Sequence, residues 1–279
     1  MAITVNTNVP SLTAQASLNK ATNAMNTAMQ RMSTGLKINS SKDDAAGMAV
    51  ANKLDYKVSS LKVAQDNAQM GASMLDTMEG VMGVINDNLQ RIRDLTEQAA
   101  NGTYGSDAIG AIKTEINSRL TEINRVANSA EFNGKKLLDG STTSVVLQVG
   151  IDGTSNSQIT LDSSIFQKST TDATGLNIAD VPANWDDAQA RAYLSSVDGA
   201  IEKITNAMTA IGGKQAAISS AMESAQVMAT NLTSASSLIK DADIAEESSN
   251  YIKQQILQQT SASLLATANQ APSIALNLV

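Results

Sequence analysis

Apolar residues recur at alternating steps of three and four over stretches too long for a compact globule to contain. Leu194, Val197, Ile201, Ile204, Met208 and Ile211 are followed by Ile218, Met222, Ala225, Ala229 and Leu232, with weaker positions only at Gly212-Gly213 and Gln215. A second series runs Ala51, Leu54, Val58, Leu61, Ala68, Ala72, Leu75, Met82, Leu89 and Ile92. This spacing puts one apolar stripe on a helix, as in a coiled-coil seam. Read as one helix, residues 44–100 would extend about 85 Å at 1.5 Å per residue. A compact chain of this length has a radius of gyration of about 19 Å. The expected fold is therefore mainly α: an elongated antiparallel coiled-coil or helical-bundle rod, with a small β-hairpin region.

The two ends carry the same pattern. Leu18, Ala21, Met25, Ala28 and Met32 step by three and four between Pro10-Ser11 and Gly35. Ser41, three residues before Asp44, resembles a capping box for the next helix. Ile109, Ile112, Ile116, Leu120, Ile123 and Ala127 predict another helix, ending before Phe132-Asn133-Gly134. A last amphipathic stretch runs from Ile244 through Ile252, Ile256 and Leu264 to about Ala268, followed by an apolar QAPSIALNLV that is frayed or docked. Residues 1–42 hold four basic residues and no acid, whereas 241–279 hold Asp241, Asp243, Glu246 and Glu247 against Lys253. Opposite charge agrees with ends that meet, and Leu18, Met25, Met32, Ile252, Ile256 and Leu264 are the expected terminal assembly seam. The other faces of this pair are Ala, Ser, Thr, Asn and Gln, which suit packing against further helices.

Residues 141–180 change character. SVVLQVGIDGTSNSQITLD alternates Val145, Leu147, Val149 and Ile151, turns near Asp152-Gly153, and resumes at Ile159 and Leu161, a hairpin pattern. Ser/Thr-rich stretches flank it, and the whole segment reads as surface. The expected organisation is a terminal coiled-coil domain from 1–42 plus 241–279, and a domain of long helices from 43–240 carrying a short variable hairpin and surface segment at 141–190.

Composition removes most chemistry. With no Cys and no His, disulfides, thiol nucleophiles, Ser-His-Asp triads and His-based metal sites are excluded. Gly212-Gly213-Lys214 lacks the spacing of a phosphate loop, and Asp152, Thr154 and Asn156 read as a hairpin turn rather than a calcium loop. The methionines fill seams, and Asp43-Asp44 suit a helix N-terminus. No enzyme activity and no cofactor are expected. A net charge of −7 argues against nucleic acid. No run reaches the roughly 18 apolar residues of a membrane span, and the first twenty residues have no signal-peptide core. If the chain is exported, a route without signal cleavage must serve.

LQRIRDLTEQAANG (89–102) poses a separate question. Leu89, Ile92, Thr96 and Ala99 share one face; Arg91, Asp94 and Gln98 point nearly the other way, with Leu95 at their edge. That second face is either a solvated back or a contact surface.

Four stretches together resemble bacterial flagellin: RMSTGLKINSSKDDAAGMAVANKL (31–54), LQRIRDLTEQAANG (89–102), EINRVANSAEFNGKKLL (122–138) and the run from about 220 to the end. The resemblance covers 1–138 and roughly 190–279, and the motifs occur in the family's order. It implies a secreted subunit that leaves the cell unfolded through the flagellar type III apparatus. It implies a homopolymer, the extracellular flagellar filament, with the paired termini forming the inner tube. The implied partners are further copies of itself, an export chaperone, the filament cap and hook–filament junction proteins. It also implies recognition of the monomer by Toll-like receptor 5 at Arg91, Leu95 and Glu115, with Gln90, Asp94 and Gln98 alongside. Asp94 stands where many receptor-active members carry Glu, a departure that implies weaker binding. The middle is only about 50 residues, so large outer domains are absent or reduced to the hairpin. A hook–filament junction protein shares the terminal logic, although DDAAG and LQRIRDL favour flagellin. A secreted coiled-coil effector or adhesin is the alternative of another class.

Overall fold

A computed structural model describes residues 7–182 and 185–276, with side chains through residue 270. Five helices dominate: α1 (Val9–Thr34), α2 (Ala45–Ala99), α3 (Ser106–Ser129), α4 (Asp187–Lys240) and α5 (Ile244–Leu276). Two antiparallel two-stranded sheets complete the fold, β1 (Glu131–Phe132) with β2 (Lys135–Lys136) and β3 (Val145–Gln148) with β4 (Gln158–Leu161). The long helices and the second hairpin fall where the periodicities place them. Residues 1–58 with 230–279 form one compact unit, and 59–229 form another.

Local chemistry sets the helix ends. Asn8 caps α1 by accepting from Ser11 N–H at 3.1 Å, and Pro10 sits in the first turn, where no helical donor is needed. Gly35 ends it in the left-handed region at φ 72°, and its N–H reaches Arg31 O. The expected capping role of Ser41 is not observed. Asp44 immediately precedes α2, and its carboxylate accepts from Ala46 and Gly47 N–H at 3.0 and 2.9 Å. Asp43 instead ties the preceding turn through Asn39 and Ser40. Gly212-Gly213 leave α4 unbroken. α5 continues past the expected end near Ala268 to Leu276; the last three residues of QAPSIALNLV lie outside the described residues.

The core of the second unit lies among Met78, Met82, Ile85, Leu89 and Ile92 of α2, Ile116, Leu120 and Ile123 of α3, and Val197, Ile204 and Ile211 of α4. The β3–β4 hairpin pairs Val145 with Leu161 and Leu147 with Ile159. It seats on α2 where Gly71 leaves room for Leu147: a Cβ at 71 would collide with the Leu147 methyl and stand 3.3 Å from its Cγ.

The expectation that all of 141–190 is surface is overturned after the hairpin. Ile165, Phe166, Ser169, Thr170, Thr171, Leu176, Ile178, Val181 and Trp185 are buried. Two asparagines of α3, seven residues apart on one face, hold this strap. Asn124 accepts from Thr171 N–H and donates to its hydroxyl, and Asn117 accepts from Val181 N–H. From α4, Lys203 donates to Gly175 O and Tyr193 to Ala179 O, while the Trp185 ring meets Tyr193 edge-on. Burial pushes the Tyr193 phenol above its ordinary range. Hydroxyl-rich sequence reads as loop, but here side-chain amides satisfy the backbone groups that a buried loop would otherwise leave unpaired.

Candidate functional site

Two helical surfaces carry the candidate residues, one in each compact unit.

In the first unit α1 and α5 run antiparallel. Asn8 donates to Ala268 O at 2.7 Å, Ser11 to Asn269 at 2.7 Å and Gln258 to Thr22 at 3.0 Å, and Arg31 pairs with Glu247 at 2.9 Å. From Arg31 through Thr22 to Ser11, toward the start of α1, the partners move from Glu247 through Gln258 to Asn269 along α5, so these polar pairs fix one antiparallel register. On α1 the seam is the expected one, with Ala21 and Ala28 buried and Leu18, Met25 and Met32 half-buried. On α5 it is not. Glu247, Tyr251, Gln254, Gln258, Ser261, Leu265 and Ala268, again at steps of four and three, turn toward α1. Ile252, Ile256 and Leu264 are 52, 58 and 59% exposed. Small and polar side chains allow close approach to the two alanines, and the register bonds turn the isoleucines away. Leu12 and Met29 of α1 and Leu257 of α5 are exposed too. The pair thus carries an uncovered apolar surface.

Asp55, at the α2 end of the same unit, accepts from the Ser236 hydroxyl at 2.6 Å and from Lys240 at 2.9 Å. These bonds hold its carboxyl below the ordinary range. Lys37 N–H to Lys240 O and Ala242 N–H to Gly35 O join the connecting segments.

In the second unit the LQRIRDLTEQAANG helix exposes Gln90, Arg91, Asp94 and Gln98. Glu115 of α3 reaches Arg91 at 3.1 Å and also takes Arg119 at 3.2 Å. The hydrogen bond from Arg91, followed by that from Arg119, holds the Glu115 carboxyl low. Arg93, two residues on from Arg91, turns instead to Asp198 of α4 at 2.7 Å. Arg91, Asp94, Glu97, Gln98, Asn101 and Tyr104 line an open groove of about 410 Å³.

Leu95 does not stand at the edge of this face. It is 2% exposed and belongs to the core with Ile92 and Ala99. Helices α3 and α4 both pack on α2, so the buried arc is wider than one seam. Thr96 is buried as well and returns its hydroxyl to Ile92 O at 2.7 Å. Of the six residues on this surface, Gln90, Arg91, Asp94, Gln98 and Glu115 are reachable, and Leu95 supports them from beneath.

Among the described residues no group of three or more His, Cys, Asp or Glu side chains is placed to hold a metal, and no helix is long and apolar enough to cross a membrane.

Residues 5–143 match the bacterial flagellin N-terminal helical region, and 194–279 match the bacterial flagellin C-terminal helical region. The flagellin of Xenorhabdus nematophila is 35% identical, covering 100% of both chains. That of Bacillus subtilis (strain 168) is 33% identical over 99% of each. A solved structure described as a flagellar hook-associated protein from Vibrio parahaemolyticus shares the fold, with a TM-score of 0.58 at 18% identity over 71% of this chain and 99% of that one. Full-length identity lies with the flagellins, and only residues 144–193 separate the two matched regions, leaving no room for large outer domains. The chain belongs to the bacterial flagellin family.

Proposed function

We propose that this chain is the structural subunit that polymerises into the extracellular flagellar filament and serves motility, with the terminal segments 1–42 and 241–279 as its innermost assembly layer. The supporting observation is the uncovered apolar surface of the α1–α5 pair. Among the described residues nothing covers Ile252, Ile256 and Leu257, and burying such side chains is worth about 1.5–3 kcal/mol each. Other copies of the same helices supply the missing cover. The export chaperone, the filament cap and the hook–filament junction proteins are partners of the same pathway. Ile252→Asp with Ile256→Asp is expected to abolish growth on filament seeds while the monomer keeps its helical content. Ordinary long filaments from that variant would remove the assignment.

The monomer is also the form that Toll-like receptor 5 would meet. Arg91, held by Glu115 beside Gln90, Asp94 and Gln98, offers a charged donor at the rim of an open groove. Arginine at such a place is a frequent anchor of protein contacts. Arg91→Ala is expected to lower monomer signalling through the receptor by about tenfold or more, near 1.4 kcal/mol. Wild-type monomer without signal, or Arg91→Ala signalling at the wild-type level, would leave this face as a packing surface.

A further inference from the structure

We propose that Asn101 is a site of spontaneous backbone-mediated deamidation, positioned by the turn between α2 and α3, and that it ages faster than the other exposed Asn-Gly pair of the chain.

Asn101-Gly102 and Asn133-Gly134 are the two Asn-Gly steps of the sequence, and both are exposed. A following glycine offers the least steric hindrance to attack by its own nitrogen on the preceding side chain. The two sites differ in what surrounds the reacting atoms. At Asn101 the side-chain carbonyl folds forward and accepts from Thr103 N–H at 3.3 Å. That aims a donor at the oxygen on which negative charge develops. Among the described residues the Gly102 N–H has no hydrogen-bond acceptor to compete for it. The Asp187 carboxylate stands 3.7 Å from the point where a Gly102 Cβ would lie. Arg191 keeps it there, bonding Asp187 at 2.8 Å and Ala100 O at 3.0 Å. At Asn133 the backbone is locked at φ 47° in the two-residue turn between β1 and β2, with Gly134 at φ 78°. No bond in the described structure polarises the Asn133 amide.

The step balances with water as the only co-reactant. The Gly102 nitrogen forms a bond to Asn101 Cγ and gives its proton to the Asp187 carboxylate or to water. The bond from Cγ to the side-chain nitrogen breaks, and ammonia leaves with that proton count restored. Water then opens the five-membered imide on either side. The products are aspartate and the β-linked isoaspartate. Both place a new carboxylate in the groove that Arg91, Asp94 and Glu97 already line.

The test is incubation of the purified full-length chain at neutral to mildly alkaline pH, with peptide mass spectrometry and isoaspartyl methyltransferase labelling over time. Conversion at Asn101 is expected to exceed that at Asn133 by about tenfold, at or below what one positioned base or donor supplies in an enclosed site. Asp187→Asn and Gly102→Ala are each expected to slow Asn101 and leave Asn133 unchanged. Heat-unfolded protein, in which both sites lose their surroundings, is expected to convert the two at similar rates. Equal rates in the folded chain, or faster conversion at Asn133, would overturn the proposal. An Asp187→Asn chain that reacts as wild type would remove the carboxylate from it.

Discussion

Arg31 Nη1 and Glu247 Oε1 stand 2.9 Å apart, joining the two ends of the chain across 216 positions of sequence. Both side chains are largely buried, and Arg31 Nε is enclosed without a partner, so the ion pair is the main compensation for a charge withdrawn from water. Arg31→Ala, which strands Glu247, is expected to destabilise the terminal pair by about 2 kcal/mol. Amide exchange across residues 9–34 measures it. Joint replacement of Arg31 and Glu247 by methionine is expected to recover most of the loss, because neither charge is then left alone. A double replacement as unstable as the single one would show that the pair sets register by shape and not by charge.

Asp55 gives the same unit an acid limit. Its carboxyl is held below the unfolded value of 3.8 by the Ser236 hydroxyl first and by Lys240 second. A depressed folded value means the unfolded chain takes up the proton more readily, so stability from this group is complete above 3.8 and is lost as pH falls through the folded value. The difference in thermal midpoint between wild type and Asp55→Asn is expected to be constant near neutrality and to shrink below pH 3.8. A difference that persists unchanged in acid would assign the effect to geometry alone.

Leu95 and Arg91 separate packing from contact. Leu95→Ala empties a site in the core and is expected to cost about 2–4 kcal/mol in urea unfolding. Arg91→Ala removes an exposed pair and is expected to cost less than about 1 kcal/mol. Loss of receptor signalling by Leu95→Ala is therefore informative only beside its unfolding curve.

Insertions distinguish the hairpin tip from the strap that follows it. A flexible uncharged tag after Gly153 meets open space and is expected to be displayed on intact filaments with an unchanged thermal midpoint. The same tag after Asp172 interrupts the bonds that bring Leu176 N–H to Thr170 O and Ile178 N–H to Thr171 O. It is expected to lower the midpoint and the yield of folded monomer. Equal tolerance at both places would contradict the burial of the strap.

The sequence by itself determined the long helices, the β3–β4 hairpin and the seam face of α1. Each rests on local periodicity: Leu18, Ala21, Met25 and Ala28 recur at helical spacing, and Val145 to Leu161 alternate around a Gly turn. It also determined the reach of the chemistry, since a chain without Cys or His cannot assemble the sites those residues make. Only the tertiary structure decided which face of α5 is covered and how wide the covered arc of α2 is. Ile252 and Ile256 carry the apolar signal of α5, yet Glu247, Gln258 and Ser261 meet α1, because bonds to Arg31 and Thr22 set the rotation. Leu95 looks marginal on a one-seam helix and is core on a helix with two neighbours. The strap from 165 to 181 looks like solvent-facing loop until Asn117 and Asn124, distant in sequence, satisfy its backbone. Periodicity fixes what a segment can present, and the partner that arrives from elsewhere in the chain fixes what it hides.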